Sequence, residues 1–302
     1  MDSRIRESII QEIQYSPIVN SGVRLFVLRD DLIHPFLNGN KYRKLKFNIP
    51  EILSQPESIV ITFGGAWSNH LVATAAAGKM YRFDTFGVVR GDEGVSNDAL
   101  RFVQECGMKI HFLSRQEYRL RHEPEFLISL EESLRSKYPD IFNHRSVYFL
   151  PEGGSNALAI PGCEEIPKSI SMPCDYIACA CGTGATLAGI SRGLKPNQRA
   201  VGIAVLKGEN FLPEVVKNRG ADPERFELIF DFVFGGYAKH NVELLDFCNR
   251  FKNETGIPVE PVYSGKLFYG LIQLIRNGHF PSGSIVTAVH TGGIFDFNLP
   301  LS

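Results

Sequence analysis

Four junctions in this 302-residue chain couple glycine with hydroxyl or amide side chains straight after an apolar run: FGGAWSNH, PEGGSNA, CGTGATLAG and AVHTGG. Turns that merely reverse the chain do not need that combination four times. In CGTGATLAG (Cys181–Gly189), Gly182 and Gly184 let the backbone approach a ligand, and Thr183 and Thr186 add hydroxyl donors. From Ala185 onward the pattern is helical, so free N–H groups and a positive dipole end face the loop and suit a phosphate. A dinucleotide fingerprint needs a third glycine where Leu187 stands, and a Walker A loop needs a GK[ST] that is missing. A single phosphate group fits the loop. The competing reading is a tight strand-to-helix turn with threonine caps.

In FGGAWSNH, Ser68 and Asn69 open a second helix behind two glycines and Trp67, the chain's one tryptophan. A plain N-cap explains one of the two polar residues, and a ligand contact explains both. In NGNKYRKLK, Lys41 follows Asn-Gly-Asn at the mouth of a helix. A first-turn cation opposes the helix dipole, so Lys41 reads as a positioned amine as well as a solvated charge. Neighbouring Arg43 and Lys44 are expected to depress its pKa and favour the nucleophilic free amine. Tyr237 in GGYAKHN and Tyr263 in EPVYSGK are turn-flanked phenols that by default pack their rings and bond their hydroxyls to backbone.

The elements that must carry these residues alternate along the chain. Strands are expected at 23–28, 58–63, 85–89, 109–113, 147–150, 175–181, 200–206 and 284–290. Helical spacing is found over 68–81, 98–106, 125–134, 185–194, 241–251 and 266–275. The helical pattern that begins at Lys41 should kink or stop at Pro50. Such alternation predicts βαβ crossovers, open and mostly parallel sheets, and helices on both faces. In this α/β class, ligands bind beyond the carboxyl ends of strands, where the four junctions fall. The charged stretch 114–145 reads as a solvated helix pair that ends one lobe.

Composition narrows the function. Lys plus Arg total 32 and Asp plus Glu 33, for a formal charge of −1. That balance gives no electrostatic footprint for nucleic acid or an anionic membrane, so a small-molecule substrate is expected. No apolar stretch approaches the roughly 18 residues of a membrane span. The six cysteines form no CxxC pair, and the eight histidines form neither HExxH nor HxH. No metal site is expected. Cys179 and Cys181 fall on an apolar run where free cysteine packs as a small hydrophobe, which fits a reducing cytoplasm.

Taken as an ordered set, NGNKYRKLK, GGAWSNH, PEGGSNA, CGTGATLAG, EPVYSGK and HTGG resemble the fold-type II pyridoxal-phosphate (PLP) enzymes. They are most similar to the branch of D-cysteine desulfhydrase and 1-aminocyclopropane-1-carboxylate (ACC) deaminase. The resemblance implies a two-lobed, tryptophan synthase β-like α/β fold: a larger lobe from residues 1–41 and 151–302, and a smaller one over 42–150 that closes over the cofactor cleft. It implies that Lys41 bonds covalently to PLP and later shuttles a proton. Asn69 would bond the cofactor's 3′-oxygen, Ser68 would act on the substrate as proton donor or carboxylate ligand, and Gly182, Thr183, Gly184, Ala185 and Thr186 would hold the phosphate. Tyr237 and Tyr263 match two active-site tyrosines, and Ser264 matches the residue facing the pyridine nitrogen. Trp67, His70 and Thr291 would line the substrate pocket. A homodimer is implied as well.

Within that resemblance, Ser264 directs the chemistry. ACC deaminases carry glutamate there, which keeps the pyridine nitrogen protonated and the ring a strong electron sink. A neutral hydroxyl makes a weaker sink, which suits β-elimination, where a leaving group departs soon after the α-proton. His70 matches the SNH form of the desulfhydrases, whereas Trp67 replaces a usual glutamine and Asn38 a usual glycine. The expected activity is D-cysteine β-elimination to pyruvate, ammonia and hydrogen sulfide, with ACC deamination to 2-oxobutanoate as the alternative. Two readings of other classes remain: an NAD-binding oxidoreductase using CGTGATLAG with Glu209 at the ribose, and a catalytically silent amino-acid-binding protein.

Overall fold

A computed structural model describes residues 2–55, 57–208 and 211–299. Ten strands occur among them: β1 (Ile10–Ile13), β2 (Arg24–Leu28), β3 (Ile59–Gly65), β4 (Asp84–Arg90), β5 (Lys109–Leu113), β6 (Val147–Leu150), β7 (Tyr176–Cys181), β8 (Arg199–Ala204), β9 (Phe226–Ile229) and β10 (Ile285–Val289). The chain divides into two compact units, Met1–Lys44 with Ala159–Phe295, and Leu45–Leu158 with Asp296–Ser302.

The first unit is built on a six-stranded sheet of order β1-β2-β10-β7-β8-β9. Only β1 runs antiparallel; the remaining pairs are parallel, as βαβ crossovers require. Both faces are covered, and the period of two along each strand divides the side chains between them. On β7, Ile177, Cys179 and Cys181 pack with the helices Ala159–Lys168 and Ala185–Gly193. Ala178 and Ala180 turn the other way, toward the helices Val242–Thr255 and Ser264–Arg276. Cys179 and Cys181 are thus buried free thiols. Because β2, β10 and β7 are parallel neighbours, their carboxyl ends lie side by side. The loops after Leu28, Val289 and Cys181 therefore share one edge of the sheet, which is where an open α/β sheet binds ligands.

The second unit carries a four-stranded parallel sheet of order β5-β4-β3-β6. Ile59, Ile61 and Phe63 of β3 pack with Phe86 and Val88 of β4 and with Leu130, Leu134 and Phe142. The last three belong to the helices Pro124–Lys137 and Pro139–Phe142, so the stretch expected to be a solvated pair buries one face. The break near Pro50 comes earlier than expected. The first helix ends at Leu45, and a new one, Asn48–Leu53, holds Pro50 in its first turn, where the missing N–H has no partner to lose. The strands β1 and β9 and the helices Ala159–Lys168 and Leu212–Asn218 had no clear sequence signal.

Candidate active site

Lys41 lies in the helix Gly39–Leu45, which starts at the shared sheet edge. Gly39 has a φ of 58°, and a Cβ there would stand 2.0 Å from the Thr291 carbonyl oxygen. The NGNK turn is thereby seated directly against the loop that follows β10. Asn40 and Lys44 then tie the lysine helix to the glycine loop. The Asn40 amide donates to Thr186 Oγ1 at 3.1 Å, and Lys44 Nζ donates to Thr183 Oγ1 at 3.3 Å. Lys41 Nζ donates to Asn40 Oδ1 at 2.8 Å. Asn40 was not singled out from sequence, and Lys44 was named there only as a charge near Lys41, although their three-residue spacing places both lysines on one helix face.

Desolvation and the nearby Lys44 ammonium lower Lys41 to about 7, against a smaller opposing pull from Cys163 and Glu260. Lys44 thus acts as expected, and Arg43 does not. Its guanidinium is turned away into a two-pronged pair with Asp30, with Nε and Nη2 each 2.9 Å from a carboxylate oxygen. Two ammonium groups on one face favour an anion beside them. The anion-binding end is present too. Gly184, with a φ of 79°, precedes the helix Ala185–Gly193 with no side-chain cap, and Thr183 and Thr186 flank it. Leu187, at the position of the missing third glycine, has no exposed surface and belongs to the core.

Tyr263 and Ser264 come from the start of the helix Ser264–Arg276. That helix end is capped by Glu260, another residue the sequence reading passed over. Its carboxylate accepts the Val262, Tyr263 and Ser264 N–H groups at 2.6, 2.9 and 2.7 Å. The Ser264 hydroxyl is fully buried. It accepts the Glu260 N–H at 2.9 Å and donates to Glu260 Oε1 at 3.1 Å. Burial raises the Glu260 carboxyl above its usual range, with those N–H bonds working against the rise. The Tyr263 ring centre lies 6.0 Å from Lys41 Nζ and 6.1 Å from the Tyr237 ring, which meets it edge-on at 67°. Lys41, the Gly182–Thr186 loop, Tyr237, Tyr263, Ser264 and Thr291 all belong to the first unit.

The remaining candidates belong to the second unit. Ser68 is the N-cap of the helix Asn69–Tyr81; its hydroxyl accepts the Leu71 N–H at 3.3 Å, which leaves Asn69 as the residue that capping does not explain. Trp67 is 66% exposed. His70, expected at the substrate, turns inward instead: it is buried, and its Nε2 stands 2.7 Å from Thr62 Oγ1. That hydroxyl also donates to the Leu150 carbonyl at 2.8 Å, so it takes a proton from the ring, and His70 anchors the turn from beneath. The PEGGSNA junction is likewise occupied with structure, because Glu152 accepts from Tyr118 and Arg121, and Asn156 donates to Asn48.

Residues 11–292 match the model of the family described as "Pyridoxal-phosphate dependent enzyme". The chain belongs to that family. An Arabidopsis thaliana protein named bifunctional D-cysteine desulfhydrase/1-aminocyclopropane-1-carboxylate deaminase, mitochondrial, is 30% identical over 305 residues, covering 92% of this chain and 74% of its own. A Pyrococcus horikoshii protein, provisionally named 1-aminocyclopropane-1-carboxylate deaminase, is 32% identical over 299 residues, covering 93% and 89%. The crystal structure of an ACC deaminase homologue superposes with a TM-score of 0.82 at 30% identity, covering 97% of this chain and 91% of that one.

The protein is therefore a PLP-dependent enzyme of fold type II, with PLP as its cofactor. The NAD-binding reading falls with that membership and with Leu187 committed to the core; its proposed ribose partner, Glu209, lies outside the described residues. The residues fit a pyridoxal phosphate: an amine lowered to about 7 sits on one helix with a second lysine, hydrogen-bonded to an uncapped, threonine-flanked helix N-terminus. Among the described residues, no helix is long and apolar enough to cross a membrane.

Proposed function

We propose that this enzyme catalyses β-elimination from a small amino acid bearing a β-thiol, with D-cysteine as substrate and pyruvate, ammonia and hydrogen sulfide as products. The observation that carries the reading is Ser264: a neutral hydroxyl, buried and shared with Glu260, at the position where the deaminase branch carries glutamate. When bound, PLP supplies an electron sink for charge left on the substrate's α-carbon. Lys41 holds the cofactor and carries the proton taken from that carbon, work suited to an amine that is half free base near neutral pH. Thr183, Thr186 and Lys44 hold the phosphate, with the Gly182–Ala185 backbone closing around it. Removal of the α-proton with departure of the β-sulfur, followed by addition of water, balances to the three products.

Ser68, Asn69, Trp67 and Thr291 enter this proposal as substrate- and cofactor-contacting residues, with Asn69 supported further by its place at a helix start that Ser68 already caps. The unit that holds Lys41 is the cofactor-binding lobe. A homodimer in the cytoplasm completes the proposal, the first carried over from the family and the second supported by six free thiols.

The edge-on pair of Tyr237 and Tyr263 supports the second reading, ACC deamination, because both tyrosine positions of that branch are filled and adjacent. Purified PLP-loaded protein should release pyruvate and sulfide from D-cysteine. Release of 2-oxobutanoate from ACC with no pyruvate from D-cysteine would reverse the choice, and turnover of neither would favour the silent binder.

A further inference from the structure

Lys266 is a buried cation that the proposed chemistry does not use. It has no exposed surface. Its ammonium donates to three backbone carbonyls, those of Val205 at 3.2 Å, Val233 at 2.9 Å and Gly236 at 2.6 Å. Desolvating an ammonium costs several kcal/mol, and only full use of its donors offsets that cost. All three N–H groups are used here, and all on main-chain oxygens. Burial lowers the group to about 8, so it still carries its charge at neutral pH.

Two of those oxygens belong to a segment in expensive backbone. Phe234, Gly235, Gly236 and Ala238 have φ of 49°, 85°, 113° and 54°. For Phe and Ala the left-handed region is sterically costly, and such conformations persist only where the surroundings impose them. Inside the segment, Gly236 N–H donates to Val233 O at 2.9 Å and Lys239 N–H to Gly236 O at 3.1 Å. These are the same two carbonyls that Lys266 binds. One ammonium thus closes both turns and fastens them to Val205, which follows β8.

We propose that Lys266 is a positioning residue, whose ammonium clasps 233–238 in this strained form and so sets Tyr237 against Tyr263. The clasp stands on its own contacts. Its effect on turnover rests on the resemblance by which Tyr237 matches an active-site tyrosine.

The test compares the PLP-loaded wild type with Lys266→Met and Lys266→Ala by amide hydrogen exchange and steady-state kinetics. Lys266→Met should speed exchange at Gly236 and Lys239 about fivefold or more, the loss of roughly 1 kcal/mol per bond. It should lower kcat about tenfold while changing KM less than about twofold. Methylammonium added to Lys266→Ala should restore part of both, because it refills the three-carbonyl cage; a merely volume-filling side chain would not respond to it. Fast exchange with unchanged kcat upholds the clasp and removes Tyr237 from the reaction. Unchanged exchange in a folded Lys266→Met protein overturns the proposal. If neither variant folds, the wild type decides: Gly236 and Lys239 amides exchanging at unprotected rates would overturn it, and slow exchange at Lys239, which is exposed, upholds it.

Discussion

Asn40 and Lys41 are joined side chain to side chain: Lys41 Nζ donates to Asn40 Oδ1 at 2.8 Å, while the same amide donates to Thr186 Oγ1 at 3.1 Å. The amine proposed to hold the cofactor and the loop proposed to hold its phosphate are therefore kept in register by one neutral side chain. Lys41→Ala should lower turnover by roughly 10³ or more, the scale of removing a covalent participant. Borohydride treatment of the PLP-loaded wild type should leave a stable label on this residue, and the substitution should abolish it. Asn40→Ala should keep the label and weaken PLP binding about fivefold, the worth of roughly one hydrogen bond. Label on a different lysine would refute the assignment.

The depressed pKa gives a pH test with a definite sign. In its proposed role Lys41 attacks the cofactor's aldehyde only as the free amine, the form it takes above about 7. The rate at which cofactor-free protein takes up PLP, followed by absorbance, should rise with pH and level off beyond an inflection near 7. An unperturbed lysine would keep rising toward its ordinary value of about 10.4. Lys44→Met removes the neighbouring charge that helps lower Lys41, so its inflection should move to higher pH. An unmoved inflection would leave desolvation as the whole cause.

The central strands were legible in the sequence because they are apolar on both faces, as in β7, YIACAC, where alternate residues enter different cores. The edge strands β1 and β9 were not, since a short edge strand such as IQEI carries little apolar signal. Helix Ala159–Lys168 was hidden by Pro161 and Pro167, which read as breakers yet sit in its first turn and near its end. Lys41 and the glycine loop stood out in the sequence because the features that mark them, glycine spacing and a cation at a helix mouth, are local. Lys266 and Asn40 did not, because their meaning lies in contacts with distant backbone or in partners as far off as Thr186, and Glu260 caps a helix start only two to four residues on, in a turn whose geometry the sequence does not display. His70 was misread for the same reason: only the fold brings Thr62 beneath it.

The frame behind Lys41 depends on Asp30 and Arg43, both buried and bonded through two parallel N–H···O contacts. Removing one partner of such a pair leaves an uncompensated buried charge, at about 3–5 kcal/mol. Asp30→Ala should lose stability on that scale in urea unfolding, with Asp30→Asn losing less because it still accepts one bond. The loss should exceed that of Glu12→Ala, whose partner Arg24 is largely exposed, so that solvent screens the pair. Equal losses would mean that Arg43 finds another partner.

Ser264→Glu tests the tuning of the chemistry most directly. Ser264 has no exposed surface and already shares its hydroxyl with Glu260. A second carboxylate there must lie beside the first, and two carboxylates in one buried site raise at least one of their pKa values. If a neutral partner at this position favours rapid departure of the β-sulfur, the substitution should slow sulfide release from D-cysteine about tenfold, or roughly 1.4 kcal/mol in the barrier. The cofactor's visible absorption during turnover should persist longer. Ser264→Thr keeps the hydroxyl and should retain most of the rate. A Ser264→Glu enzyme with unchanged rate and unchanged spectrum would show that this side chain does not set the electron demand of the ring, and the choice of D-cysteine over ACC would lose its main physical support.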